Sequence, residues 1–207
     1  QKNNQKLEGN GQKFEESDKK SESLNENYQR IEPVEESVTY AKSMALIEVE
    51  SGRLLYKKNC DEKLAMASTT KIMTALVAIK NCRNLDEKFK VDNRAVGVEG
   101  TSLYLRKNEE KTVRELLYGL MLPSGNDAAI ALACKIAGSE EEFCKLMNEE
   151  AKRIGAFNTN FINPHGLDVD GHYTTAYDLA LITAEAMKNE IFREICSTKN
   201  IRISGNK

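Results

Sequence analysis

Ser68-Thr69-Thr70-Lys71-Ile72-Met73-Thr74-Ala75-Leu76-Val77-Ala78-Ile79 is the stretch on which the fold of this chain turns. Ile72, Met73, Ala75, Leu76 and Ile79 recur at helical spacing, which predicts an amphipathic helix opening at Ser68 and needing a core to face. Upstream, Met44-Ala45-Leu46-Ile47 and Val49 form a short apolar run, Ser51-Gly52 supplies turn chemistry, and Leu54-Leu55-Tyr56 runs back. That pattern predicts a β-hairpin. Downstream, helices dominate. Thr112-Val113-Arg114-Glu115 is a capping box, and Pro123 marks the end of its helix. A second helix is expected from about Asn126 to Ala137, closed by Gly138. Ser139 with Glu142, and Thr175 with Asp178, open two more.

The remaining composition narrows the field. Among 207 residues, 30 Lys and Arg stand against 32 Asp and Glu, a formal net charge of -2. No strong field is available to collect nucleic acid or an anionic membrane surface. No run approaches the roughly 18 to 20 apolar residues that a membrane-spanning helix requires. Residues 1–36 are rich in Lys, Glu, Asn, Gln and Ser, with too few apolar residues to offset the entropy of ordering, and read as a charged leader or linker ahead of a domain at 37–207. Five cysteines without a C-x-x-C pair spell neither a disulfide framework nor a zinc knuckle. The two histidines, His165 and His172, lack the i, i+4 spacing of a zinc hydrolase. Asp168 and Asp170 before Gly171 lack the ligand spacing and distal Glu of a calcium loop, and read as solvated turn carboxylates.

Ser68 and Lys71 lie one helical turn apart, so hydroxyl and amine share a face. Serine is a poor nucleophile until its proton is removed, and lysine removes it only if its pKa falls from about 10.4 to roughly 7 or 8. That demand amounts to about 3 to 5 kcal/mol against the ammonium, within reach of burial. A place in the first turn helps, because the helix dipole disfavours a cation there and leaves backbone N–H groups free to face an oxyanion. A match to S-x-x-K taken alone also describes a helix cap followed by a surface lysine. The second signal is Ser124-Gly125-Asn126, in the break after Leu122-Pro123, where a tight turn would present a hydroxyl and an amide.

With those residues in place, Ser68-Thr69-Thr70-Lys71 and the run Leu116-Leu117-Tyr118-Gly119-Leu120-Met121-Leu122-Pro123-Ser124-Gly125-Asn126-Asp127-Ala128-Ala129 resemble the serine D-alanyl-D-alanine carboxypeptidases, the low-molecular-mass penicillin-binding proteins. Gly100-Thr101-Ser102-Leu103-Tyr104-Leu105, Asn163-Pro164-His165-Gly166-Leu167 and His172-Tyr173-Thr174-Thr175-Ala176-Tyr177-Asp178 are similar to that family as well. The resemblance implies an α+β, serine beta-lactamase/DD-peptidase-like fold, an antiparallel sheet packed against a helical region. It implies an extracytoplasmic serine DD-carboxypeptidase acting through an acyl-enzyme on peptidoglycan stem peptides ending in D-Ala-D-Ala. By the same resemblance, beta-lactam antibiotics would be covalent inhibitors, and neither a metal nor an organic cofactor is implied. Carried over by position, Ser68 is the nucleophile, Lys71 its base and Ser124 the proton donor to the leaving amine. Asn126 binds the substrate amide and helps hold Lys71. The histidines fall in a structural loop, against a Ser-His-Asp triad.

The pattern departs in one place. The family carries a third motif, Lys-Thr-Gly, on a strand lining the cleft, and no such tripeptide occurs here. The resemblance therefore implies that the C-terminal strands are absent from this chain, along with an oxyanion donor worth about 3 to 4 kcal/mol. The expectation is a fragment or incomplete gene product with very poor turnover, with a C-terminal membrane anchor beyond it left open. Two alternatives stand beside the enzyme: a non-catalytic peptidoglycan- or penicillin-binding interaction protein, and a serine beta-lactamase. The second is disfavoured by Ser-Gly-Asn in place of Ser-Asp-Asn.

Overall fold

A computed structural model describes residues 40–203; the leader expected at 1–36 lies outside them. Chain order begins with the expected hairpin, β1 (Met44–Ile47) and β2 (Leu54–Lys58), antiparallel with Met44 opposite Lys58 and Leu46 opposite Tyr56. Gly52 takes φ +70° in its turn, a backbone region that glycine enters without a Cβ clash. The Glu48 carboxylate closes that turn by accepting from the Glu50 and Ser51 amides and the Ser51 hydroxyl. These bonds, the hydroxyl's first, hold its pKa down at about 2.

Next come a 3-10 turn at Ala67–Thr69 and helix α1 (Thr70–Asn81). The α-helix thus opens two residues later than expected, because Ala67 takes φ +47° and directs the chain through a tighter turn that carries Ser68. Nor is α1 a surface helix with one apolar face. Every residue from Thr70 to Ile79 except Ile72 is buried, as befits a helix that other helices surround.

A second hairpin, β3 (Lys88–Lys90) with β4 (Glu110–Thr112), follows. The five remaining helices are α2 (Val113–Met121), α3 (Asn126–Ala137), α4 (Glu140–Ile154), α5 (Ala176–Met187) and α6 (Glu190–Ser197). All five touch α1, and β1 lies along α5. The shared core includes Met73, Leu76, Leu116, Leu120, Phe143 and Ile182; full burial of such a side chain contributes roughly 1.5–3 kcal/mol.

The helix ends obey local rules. Thr112 and Glu115 form the reciprocal capping box, at 3.1 and 2.9 Å. Gly138 ends α3 at φ +82°. Ser139 and Thr175 accept from the amides three residues on, each at 3.1 Å. Among the described residues, no helix is long and apolar enough to cross a membrane. The five cysteines are free thiols, and no cluster of three or more His, Cys, Asp or Glu side chains could hold a metal ion among the described residues. The architecture is α+β, with small antiparallel sheets against a helical body.

Candidate active site

The 3-10 turn presents Ser68 at the surface, while the next turn of the same helix carries Lys71 inward to 2% exposure. Lys71 Nζ lies 3.3 Å from Ser68 Oγ, 2.8 Å from Asn126 Oδ1 and 2.6 Å from the His165 carbonyl oxygen. All three partners are uncharged. Burial is the cause that lowers the Lys71 pKa, from 10.5 to about 8. An ammonium would donate its three hydrogens to these three oxygens. Once neutral, the amine has two hydrogens, which suit the amide and carbonyl oxygens, and a lone pair left to face the serine O–H.

Asn126 is the first residue of α3, held from behind by loop 99–105. Its Nδ2 donates to the Glu99 carbonyl at 2.8 Å, which turns Oδ1 toward Lys71. Its backbone amide donates to Thr101 O at 2.7 Å. The approach is close at Gly100, φ +86°, where an added Cβ would stand 2.6 Å from Asn126 Nδ2. The neighbouring Asp127, fully buried, ties down the same loop by accepting from Ser102 Oγ at 2.6 Å and the Leu103 and Leu105 amides at 2.9 and 3.1 Å.

Ser68, Lys71 and Asn126 therefore meet as the sequence predicts. Ser124 is placed differently. It is half-buried at φ +62°, and its hydroxyl makes no hydrogen bond to this trio. Both Ala67 and Ser124 occupy the left-handed region, at a cost of order 1–3 kcal/mol each for non-glycine residues, the first directly before Ser68 and the second two residues before Asn126. A cleft of about 410 Å³ opens over Ser68, lined also by Ala65, Thr101, Asn126, Gly166 and Leu167.

Three contributors were not singled out from sequence: the His165 carbonyl, the Glu99 carbonyl and Asp127. The first two act through backbone atoms, which residue type does not mark. The His165 ring makes its own contact, Nδ1 accepting from the Leu167 amide at 3.2 Å. Burial, then the nearby Lys71 and His172, push its pKa down to about 4, so it is neutral near pH 7. Its 3.8 Å approach to Glu140 is then no ion pair.

This arrangement has relatives. Residues 30–206 match the family described as D-alanyl-D-alanine carboxypeptidase. The chain belongs to that family. D-alanyl-D-alanine carboxypeptidase DacF of Bacillus subtilis is 44% identical over 162 residues, which are 76% of this chain and 42% of that protein. The crystal structure of a D-alanyl-D-alanine carboxypeptidase from Mycobacterium tuberculosis superposes with a TM-score of 0.75 at 31% identity, covering 80% of this chain and 62% of the other. Penicillin binding protein 5 from Haemophilus influenzae gives a TM-score of 0.76 at 30% identity, covering 83% and 52%. The chain thus spans less than half the length of the Bacillus relative. Within the part of the family's length that this chain spans, Ser68, Lys71 and Asn126 lie within hydrogen-bond distance of one another through the Lys71 amine.

Proposed function

We propose that this chain carries the nucleophile, base and amide-binding residue of a serine DD-carboxypeptidase that removes the terminal D-alanine from peptidoglycan stem peptides outside the cytoplasmic membrane. One observation carries the reading: a buried amine with a pKa lowered to about 8 stands 3.3 Å from an exposed serine hydroxyl and has only uncharged partners.

Ser68 Oγ attacks the carbonyl carbon between the two terminal D-alanines, and its proton passes to Lys71 Nζ. As the tetrahedral intermediate collapses, the C–N bond breaks. Ser124 gives its hydrogen to the departing amine and takes in exchange the proton that Lys71 received from Ser68, so that Lys71 is neutral again as D-alanine leaves. Water then hydrolyses the ester on Ser68. Asn126 donates to the substrate's amide carbonyl while keeping Oδ1 on Lys71. A beta-lactam ring offers the same serine a strained amide whose leaving group stays tethered, so the ester persists.

Intact mass after incubation with benzylpenicillin tests this. A one-to-one adduct on the wild-type protein that is lost in Ser68→Ala supports the nucleophile. Binding of a muropeptide with no adduct would instead favour a non-catalytic wall-binding protein, and rapid drug hydrolysis would favour a beta-lactamase.

A further inference from the structure

Three hydrogen bonds beside the nucleophile admit only one set of donors. Thr70 Oγ1 lies 2.8 Å from the Ala67 carbonyl oxygen and 2.8 Å from His172 Nε2. The carbonyl can only accept, and a hydroxyl has one hydrogen to give. The Thr70 hydrogen therefore goes to Ala67, and its lone pair must receive a hydrogen from Nε2. At the far side of the ring, the Ile162 amide lies 3.0 Å from Nδ1. A backbone N–H can only donate, so Nδ1 is bare. Constraints from opposite ends thus select the same species, a neutral imidazole with its hydrogen on Nε2. Burial, which lowers the His172 pKa against a smaller opposing effect of Asp168, favours that neutral form. The relay runs from Ile162 N–H through the ring to the Thr70 hydroxyl and ends on the Ala67 carbonyl.

That end point sits directly before Ser68, on a left-handed alanine that keeps its conformation only if its surroundings impose it. The same carbonyl is also crowded by Gly166, where an added Cβ would come within 2.0 Å of the oxygen. The loop holding His172 needs no help from Thr70, being joined independently by the Asn160–Tyr173 and Leu64–Thr174 bridges.

We propose that His172 is a positioning residue for the nucleophile: through Thr70 it fixes the Ala67 carbonyl, and with it the aim of the Ser68 hydroxyl at Lys71. This rests on the reading of Ser68 as nucleophile. His172→Gln can keep a donor to Thr70 while giving up the Ile162 acceptor. His172→Asn can keep that acceptor while giving up the donor. The pair therefore separates aiming of the turn from mere anchoring of the loop.

The test measures the rate of benzylpenicillin acylation, together with a long-range 15N–1H spectrum of the His172 ring and the backbone amide resonances of Ala67 to Thr69. The ring is expected to carry its hydrogen on Nε2. His172→Asn and Thr70→Val should acylate at least about tenfold more slowly, since small misplacements of reacting groups are costly. His172→Gln and Thr70→Ser should recover most of that rate. Equal rates for the Gln and Asn variants, or a hydrogen on Nδ1, would overturn the proposal. If the unmodified protein forms no adduct, the nucleophile reading falls instead, and the amide resonances decide the relay. Shifts in His172→Asn but not in His172→Gln support it, and resonances unmoved in both overturn it.

Discussion

Two lysines are buried among the described residues, and their surroundings could hardly differ more. Lys71, 2% exposed, faces an amide oxygen, a carbonyl and a hydroxyl. Lys111, fully buried on β4, faces the Glu109 carboxylate at 3.0 Å. Burial is common to both; the charge of the partner is not. A buried ammonium beside a carboxylate is half of an ion pair. One offered only dipoles is destabilised relative to its neutral amine, which is the form that can take a proton. The difference between a structural lysine and a base here lies in what stands opposite the nitrogen.

The sharpest way to break the comparison is to remove both amines. Lys71→Met should slow benzylpenicillin acylation by about 10²- to 10⁴-fold, the usual contribution of a general base, with little change in stability. Its removal relieves the cost of a disfavoured ammonium, about 3 kcal/mol for a pKa lowered from 10.5 to about 8. Against that gain stand the acceptors left unpaired, at about 1–3 kcal/mol each. Lys111→Met should do the reverse, costing about 3–5 kcal/mol in a denaturant titration by stranding Glu109, while the remaining folded protein acylates normally. Equal stability losses in the two variants would show that partner charge is not what separates them.

A gentler change turns one lysine into the likeness of the other. Wild-type acylation should climb about tenfold per pH unit below pH 8 and level off above it, as the amine loses its proton. Asn126→Asp places a carboxylate beside Lys71 and should move that limb upward by about 1–3 units. An unmoved limb would mean that Lys71 is not the titrating base.

Stability carries the same signature with its sign fixed. The Lys71 pKa is lower in the folded than in the unfolded protein, so the unfolded chain holds the extra proton between about pH 8 and 10.5. Its contribution to stability therefore rises with pH across that window. Chemical unfolding at several pH values should show this rise, and Lys71→Met should flatten it. The smallest effect belongs to the other lysine's neighbour: Thr112→Ala removes the cap of α2 and should cost about 1 kcal/mol, visible in Tm and absent from the acylation rate.

Legibility from sequence followed the range of the interactions. The caps at Thr112, Ser139 and Thr175 could be read directly, since each partner lies three residues on. Hairpin β3–β4 could not: Lys88-Phe89-Lys90 and Glu110-Lys111-Thr112 are three-residue strands dominated by charge, and they offer no usable alternation. Helix α6 was equally hidden, although Asn189 caps it by accepting from the Ile191 and Phe192 amides. At eight residues it is short enough that packing, more than propensity, sustains it. Even the apolar stripe of α1 misled in one respect, because periodicity reports that a face is covered and says nothing of how many neighbours cover the rest.

The sequence by itself determined that Ser68 and Lys71 stand three residues apart at the head of an apolar run, close enough for a single turn of chain to bring them together. Only the tertiary structure decided that the amine would be a base. Asn126 is 55 positions away from it and the His165 carbonyl 94. They reach Lys71 because α3 and the loop at 163–172 pack against α1, and that packing removes the water that would otherwise keep the nitrogen protonated.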